Sequence, residues 1–272
     1  MSGLDLYSKS RSVQSAKTRY DRLRTSLVMQ LRSKVHTLLS HYFLDVEGFL
    51  GILKVSDSVV SGLAALSLCV PGVEPSHLDV FAPNERANVF EDFLVGEGYY
   101  IAAKHVPKGP AFRVSPLVRV TVYAKLGNAD NVFVFESTSS SAIFPIIEYQ
   151  STALMNFISC CEIFMAYPKL TSRRLMMENR NNAFELHRAI DKCVDHGFSF
   201  LRPNKHSGWH RNSCIECNHC PGKLRSSGDG LCLRQKFAFV PDGYAFQDFT
   251  WRLGGRCWLN EDEEFEPFLH ST

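Results

Sequence analysis

The sequence predicts an α+β protein, a mixed β-sheet flanked by helices, with a small cysteine-rich module towards its C-terminal end. Three observations carry that expectation. A long stretch without Pro or Gly, with apolar residues at helical spacing, opens the chain. Three strand-like runs separated by turn residues follow between Tyr99 and Glu136. A cluster of cysteines and histidines then lies between His206 and Cys232. These changes divide the chain into a helical region (1–54), a core (55–180) and a last part (181–272) that holds a helix, the Cys/His-rich module and an acidic tail. At 272 residues the chain is long enough to bury a sizeable core.

Residues 1–12 are polar and are expected to fray. From Ser12 to Tyr42 the residues Leu23, Leu27, Leu31, Val35 and Leu38 recur at helical spacing, so one long amphipathic helix is expected. Its outer face carries Lys17, Arg19, Arg22, Arg24, Arg32 and Lys34 against Asp21. Such a face is either a solvated surface or a contact for nucleic acid or phosphate. A second short helix is expected over Asp45 to Leu53.

The stretch VVSGLAALSLCVPGVEPSHLDVFAP, from Val59 to Pro83, reads as strand, small-residue turn at Ser61-Gly62, helix, loop and strand. Side chains alternate along a strand, so His77 and Asp79 share one face while Leu78 and Val80 point into the core. The turn and the polar pair are expected to meet at one pocket. Beyond it, Asn84 is a candidate N-cap and Ala87 to Val95 a helix that stops near Gly96 and Gly98. Strands are expected over Tyr99 to Val106, Leu117 to Lys125 and Val132 to Glu136, the middle one alternating Val118, Val120 and Val122 with Arg119, Thr121 and Tyr123. The run Glu136-Ser137-Thr138-Ser139-Ser140-Ser141 either offers N–H groups and hydroxyls to a phosphate, or caps the next helix or solvates a loop. Tyr149 to Phe157 reads as a buried helix in which Thr152 and Asn156 must find partners. A helix from Asn182 to His196 should stop at Gly197, with Phe184, His187 and Ile190 on one stripe and His187 packed or at the solvent edge, not ligating.

Cys214, Cys217 and Cys220, followed by Cys232 and neighboured by His206, His210 and His219, form the sharpest local chemical signal. Two residues between cysteines let both thiolates reach one tetrahedral ion at about 2.3 Å, which points to structural zinc. The fourth ligand would be Cys232 or one of the histidines. Lys223, Arg225, Arg234 and Lys236 surround the cluster. Cys69, Cys160, Cys161, Cys193 and Cys257 stand in apolar surroundings and read as small buried hydrophobes.

The segments SGLAALSLCVPGVEPSHLDVFAP, VFVFESTSSSAIFPIIEYQSTALMNFIS and IFMAYPKLTSRRLMMENR together resemble a family of polymerase-beta-like, nucleotidyltransferase-fold proteins expanded in mushroom-forming basidiomycete fungi. The resemblance spans roughly residues 55 to 240. It implies that Ser61 and Gly62 form the nucleotide-binding turn, joined by Ser137 and Thr138, and that Asp79 is the second carboxylate of an Asp-x-Asp pair. Active members hold two divalent metals, Mg or Mn, on three carboxylates. Here His77 stands at the first position and Phe133 at the third. Glu136 lies close in sequence, but an odd number of residues from Phe133 puts it on the opposite face of a regular strand. Mg²⁺ requires hard oxygen ligands, which an imidazole and a phenyl ring do not supply. The resemblance therefore implies a pseudoenzyme with a degenerate metal site that binds a nucleotide or RNA without efficient transfer. Two alternatives stand beside it. One is an active nucleotidyltransferase using Asp79, a repositioned Glu136 and His77 as added ligand or base; the other is a zinc-supported scaffold for a protein partner.

A net charge of +2 argues neither for nor against nucleic acid. No apolar run approaches the length that spans a bilayer, and the N-terminus lacks a signal-peptide apolar stretch. An intracellular protein, cytoplasmic or nuclear, with no membrane contact is expected, its nine cysteines reduced, buried or metal-bound. The acidic segment from Asn260 to Glu266 is either a disordered tail or a partner for the basic N-terminal helix.

Overall fold

Helical periodicity without Pro or Gly carries helix α1 from Gly3 to Leu39, so the helix includes the polar residues expected to fray. The computed structural model describes residues 3–106, 115–179, 187–201, 220–238, 247–256, 264–265 and 268–271. Among the side chains described on α1, Val35 and Leu39 are fully buried and Val28, Leu31 and Leu38 half-buried. Helix α2 (Val46–Val55) follows at once, its N-cap Asp45 accepting from Gly48 N–H. The N–H groups of Leu44 and Asp45 donate to the Glu97 carboxylate at 2.8 and 2.9 Å, which fixes the corner between the two helices.

The organising stretch folds in the expected order, with strand β1 (Val59–Ser61), helix α3 (Gly62–Ser67) and strand β2 (His77–Ala82). Helix α4 spans Val89–Gly96, later than the sequence suggested, because Asn84 to Asn88 form a turn with Glu85 at φ 62°. Strands β3 (Tyr99–His105), β4 (Leu117–Lys125) and β5 (Asn128–Ser137) form the expected antiparallel run. On β4 the buried residues are Leu117, Thr121 and Tyr123, whereas Val118 is exposed, because a register shift beside Arg119 resets the alternation.

Tyr149 to Phe157 is not a helix. A short helix α5 (Phe144–Ile147) precedes it, and a single 3₁₀ turn (Thr152–Leu154) leads into strand β6 (Asn156–Ile158). The Ser151 side chain accepts from Ala153 N–H and starts the tight turn. Thr152 and Asn156 each find a partner, while Gln150 Oε1 and Asn156 Oδ1 are buried without one among the described residues. Thr152 Oγ1 accepts from Met177 N–H at 2.8 Å, and Asn156 Nδ2 donates to Ala153 O at 2.6 Å. Strand β7 (Glu162–Met165), helix α6 (Pro168–Thr171) and strand β8 (Leu175–Met176) complete the middle of the chain.

Helix α7 (His187–Asp195) ends as the sequence indicated, with Gly197 at φ 82° and its N–H donating to Val194 O. Strands β9 (Ser199–Phe200), β10 (Arg225–Ser226), β11 (Leu233–Lys236), β12 (Phe249–Arg252), β13 (Gly255–Arg256), β14 (Glu264–Phe265) and β15 (Phe268–Ser271) follow.

One eight-stranded sheet dominates, in the order β11-β7-β6-β1-β2-β5-β4-β3. Only β2 and β5 pair in parallel, which makes the sheet mixed. Both faces are covered. Leu78, Val80, Val132 and Val134 pack with Val35, Leu39, Phe49 and Phe90 from α1, α2 and α4. On the other face Phe81, Phe135, Phe157 and Phe164 pack with Tyr149, Leu170 and Trp251. The part of the chain that the sequence assigns to a separate module thus supplies a strand of the main sheet, β11. No described helix is long and apolar enough to cross a membrane.

Candidate functional site

Ser61 ends β1 opposite Asp79 on β2, and Asp79 in turn sits beside Phe133 on β5. The pairing register alone therefore brings the small-residue turn, the carboxylate and the phenyl ring side by side. Gly62 starts α3 at φ +67°, and a Cβ there would overlap the Asp79 carboxylate, whose Cγ would lie 3.2 Å from it. The turn needs glycine for both its backbone angle and that close approach. Ser61 is fully buried, and its hydroxyl donates to Asn156 O at 2.6 Å.

His77 and Asp79 share a face as the alternation requires, with His77 Nε2 3.3 Å from Asp79 Oδ1. The Phe133 ring packs on the imidazole at 5.0 Å between centroids. On its other side His77 Nδ1 meets Ser76 Oγ at 3.0 Å and Lys192 Nζ at 3.5 Å. In the neutral imidazole Nδ1 faces Lys192 as the acceptor, since an ammonium only donates, and the Nε2–H faces Asp79. Lys192 comes from α7, 115 residues away in sequence. Arg174, at φ 54°, holds α7 in place. Its guanidinium donates to Pro71 O, in the loop before β2, at 2.6 Å and also to His196 O.

Tyr149 closes the buried side. Its hydroxyl lies beside Ser61 and Asp79, and burial together with the Asp79 charge pushes its pKa well above the usual phenol value, with Ser61 opposing the rise. Lys192, Ser76 and Tyr149 were not legible as site residues in the sequence, because no local pattern ties them to His77 and Asp79.

Other candidate residues lie elsewhere. Glu136 is on the opposite face, three residues or about 10 Å along β5 from Phe133. Its carboxylate pairs with Arg119 at 2.7 Å and accepts from Glu85 N–H at 2.9 Å. It does not converge with Asp79. Ser137 ends β5, about 13 Å beyond Phe133, and Thr138 follows it, its N–H donating to Pro116 O at 2.9 Å. Ser137 Oγ accepts from Ser139 N–H, Ser139 Oγ from Ser141 N–H and Ser141 Oγ from Ile143 N–H. This relay of turns leads into α5 without capping it, since the N-cap is Ile143 and makes no side-chain hydrogen bond.

Among the described residues no three His, Cys, Asp or Glu side chains converge as a metal-holding group. At the Asp79 site a single carboxylate, an imidazole and a phenyl ring do not fit a pair of Mg²⁺ or Mn²⁺ ions. Of the proposed zinc ligands, Cys214 and Cys217 lie outside the described residues, and Cys220 is buried. The Cys232 thiol donates to Ser226 O and Ala166 O at 3.5 and 3.7 Å, with the Arg225 guanidinium 3.4 Å from its sulfur. Burial pushes its pKa up to about 12. Arg225 organises that region, with Asp229 as ion-pair partner and the rings of Tyr167 and Trp251 at 4.7 and 5.3 Å. Cys160, Cys161 and Cys193 are buried as expected, Cys69 is half-buried, and Cys257 lies outside the described residues.

Comparison with known proteins gave no match to a family model, to a curated protein or to a solved structure.

Proposed function

We propose that this chain is a nucleotidyltransferase-fold protein that binds a nucleotide, or the phosphate backbone of RNA, at the Ser61–Asp79 site without transferring a nucleotidyl group. The observation that carries the reading is the Lys192–His77–Asp79 chain beside Phe133. Phosphoryl transfer by two metals needs several carboxylates at short separation, and only Asp79 is present. A lysine ammonium is a compact point charge that can meet a phosphate without any metal. Lys192 is half-buried beside His77, where it supplies such a charge. The order strand, Ser-Gly turn, helix and polar-paired strand supports the fold assignment.

Calorimetric titration with ATP, CTP, GTP and UTP, in Mg²⁺, in Mn²⁺ and in EDTA, tests the proposal. Binding of equal strength in all three conditions is expected, about tenfold weaker in Lys192→Ala, the loss of one charge-assisted hydrogen bond. No pyrophosphate should be released. Metal-dependent binding that Asp79→Ala abolishes, accompanied by pyrophosphate release, would establish an active transferase instead. Absence of binding under every condition would remove the nucleotide reading.

A further inference from the structure

Helix α1 carries one apolar stripe with two fates. Its C-terminal part, Leu31, Val35 and Leu38, packs against the core of the sheet. The same stripe continues outwards as Leu27, Leu23 and Tyr20, which are 61, 59 and 65% exposed. Between Thr18 and Gln30 every residue is exposed except Val28, which is half-buried, so no described element covers this length of helix. Helices in water owe most of their stability to such packing, and a bare seam of this kind calls for a partner.

The geometry of the seam restricts what that partner is. At 100° per residue Tyr20, Leu23 and Leu27 span an arc of only about 60°, with Arg24 about 40° beyond one edge and Arg19 about 40° beyond the other. The spacing of three and then four residues is that of a coiled-coil seam. A helix lying in a bilayer surface needs a much wider apolar face. Nucleic acid would use the arginines but has no use for the leucines. Between Thr18 and Gln30 the charges are Arg19, Arg22 and Arg24 against Asp21 alone, so a second copy of this helix would set like charges along both flanks. The chain's own acidic segment is otherwise engaged where it is described, since Glu264 and Phe265 pair with Arg256 and Gly255 as β14 on β13.

We infer that the exposed stretch of α1 from Thr18 to Gln30 is a docking seam for an acidic amphipathic helix of a partner protein. Leucines of the partner meet Tyr20, Leu23 and Leu27, and its glutamates or aspartates flank them against Arg19 and Arg24. The area is small, which places the contact among weak, reversible interfaces.

Fluorescence anisotropy of a labelled synthetic helix of about four heptads, with Leu in the seam and Glu on both flanks, tests this against the full chain. Micromolar binding is expected, weakening with salt, and at least about tenfold tighter than that of the same peptide with Lys on its flanks. The double variant Leu23→Ser/Leu27→Ser should lose it by a similar factor while keeping its circular dichroism, because both positions are exposed. Equal binding of the two peptides, or of wild type and variant, would overturn the inference. So would a sedimenting dimer that the double variant dissolves, since the occupant would then be a second copy. Tighter binding to phosphatidylserine vesicles or to single-stranded RNA, lost in the same variant, would assign the seam to those partners instead.

Discussion

At the scale of single residues, Gly62 sets the site. Its positive φ and the Asp79 carboxylate against its Cα leave no room for a side chain. Gly62→Ala is expected to cost about 1–3 kcal/mol for the backbone conformation alone, with a further loss from displacing Asp79. Urea denaturation of Gly62→Ala, Asp79→Ala and the double variant separates the two parts. A coupling of at least about 0.5 kcal/mol between the positions is expected, because removing the carboxylate removes the overlap. Strictly additive losses would mean that the close approach does not constrain the turn. Asp79 and His77 were legible in the sequence through strand parity, and so was the opposite placement of Glu136. Lys192 and Tyr149 were not, since each reaches the site only through the packing of a distant element.

At the scale of elements, α1 is a helix of unequal halves. Leu39 is fully buried, while Leu27, three turns nearer the N-terminus, is 61% exposed. Leu39→Ala is expected to lower stability by about 2–5 kcal/mol, and Leu27→Ala by less than about 0.5 kcal/mol. Thermal or chemical denaturation of the two variants checks the contrast, and similar losses would mean that the outer half is packed. Periodicity announced the helix and its stripe, but it did not reveal where packing ends. The segment from Tyr149 to Phe157 illustrates the converse. Its apolar composition indicated burial, yet a short apolar run does not distinguish a helix from a turn and strand.

At the scale of the whole molecule, burial couples stability to pH through Glu148. It lies buried just after α5 and has its pKa pushed up to about 7 by burial alone. The folded carboxyl therefore holds its proton more tightly than the unfolded one, whose pKa is about 4.3. Its contribution to stability is complete below that value and is lost as pH rises towards 7, at up to about 1.4 kcal/mol per pH unit. Glu148→Gln keeps a neutral group throughout. The variant should gain on wild type by about 2–3 kcal/mol between pH 4.5 and pH 8 in urea denaturation, and a constant difference would show that Glu148 ionises normally.

What the sequence determined by itself is what local chemistry determines. The order of helices and strands from Val46 to Ser137, the glycine turn at Gly62, the shared face of His77 and Asp79 and the stop at Gly197 follow from propensity, parity and backbone freedom. Tertiary structure decided what depends on distant chain segments. Strand β11 joined the main sheet by pairing with β7, because a strand edge takes whichever partner the fold presents. Cys232 lies beside Arg225 and two backbone carbonyls, neighbours that its spacing from the other cysteines did not announce. The lysine beside His77 arrived on a helix more than a hundred residues downstream, held there by Arg174. Spacing specifies which side chains can meet within one element, and only packing specifies which elements meet.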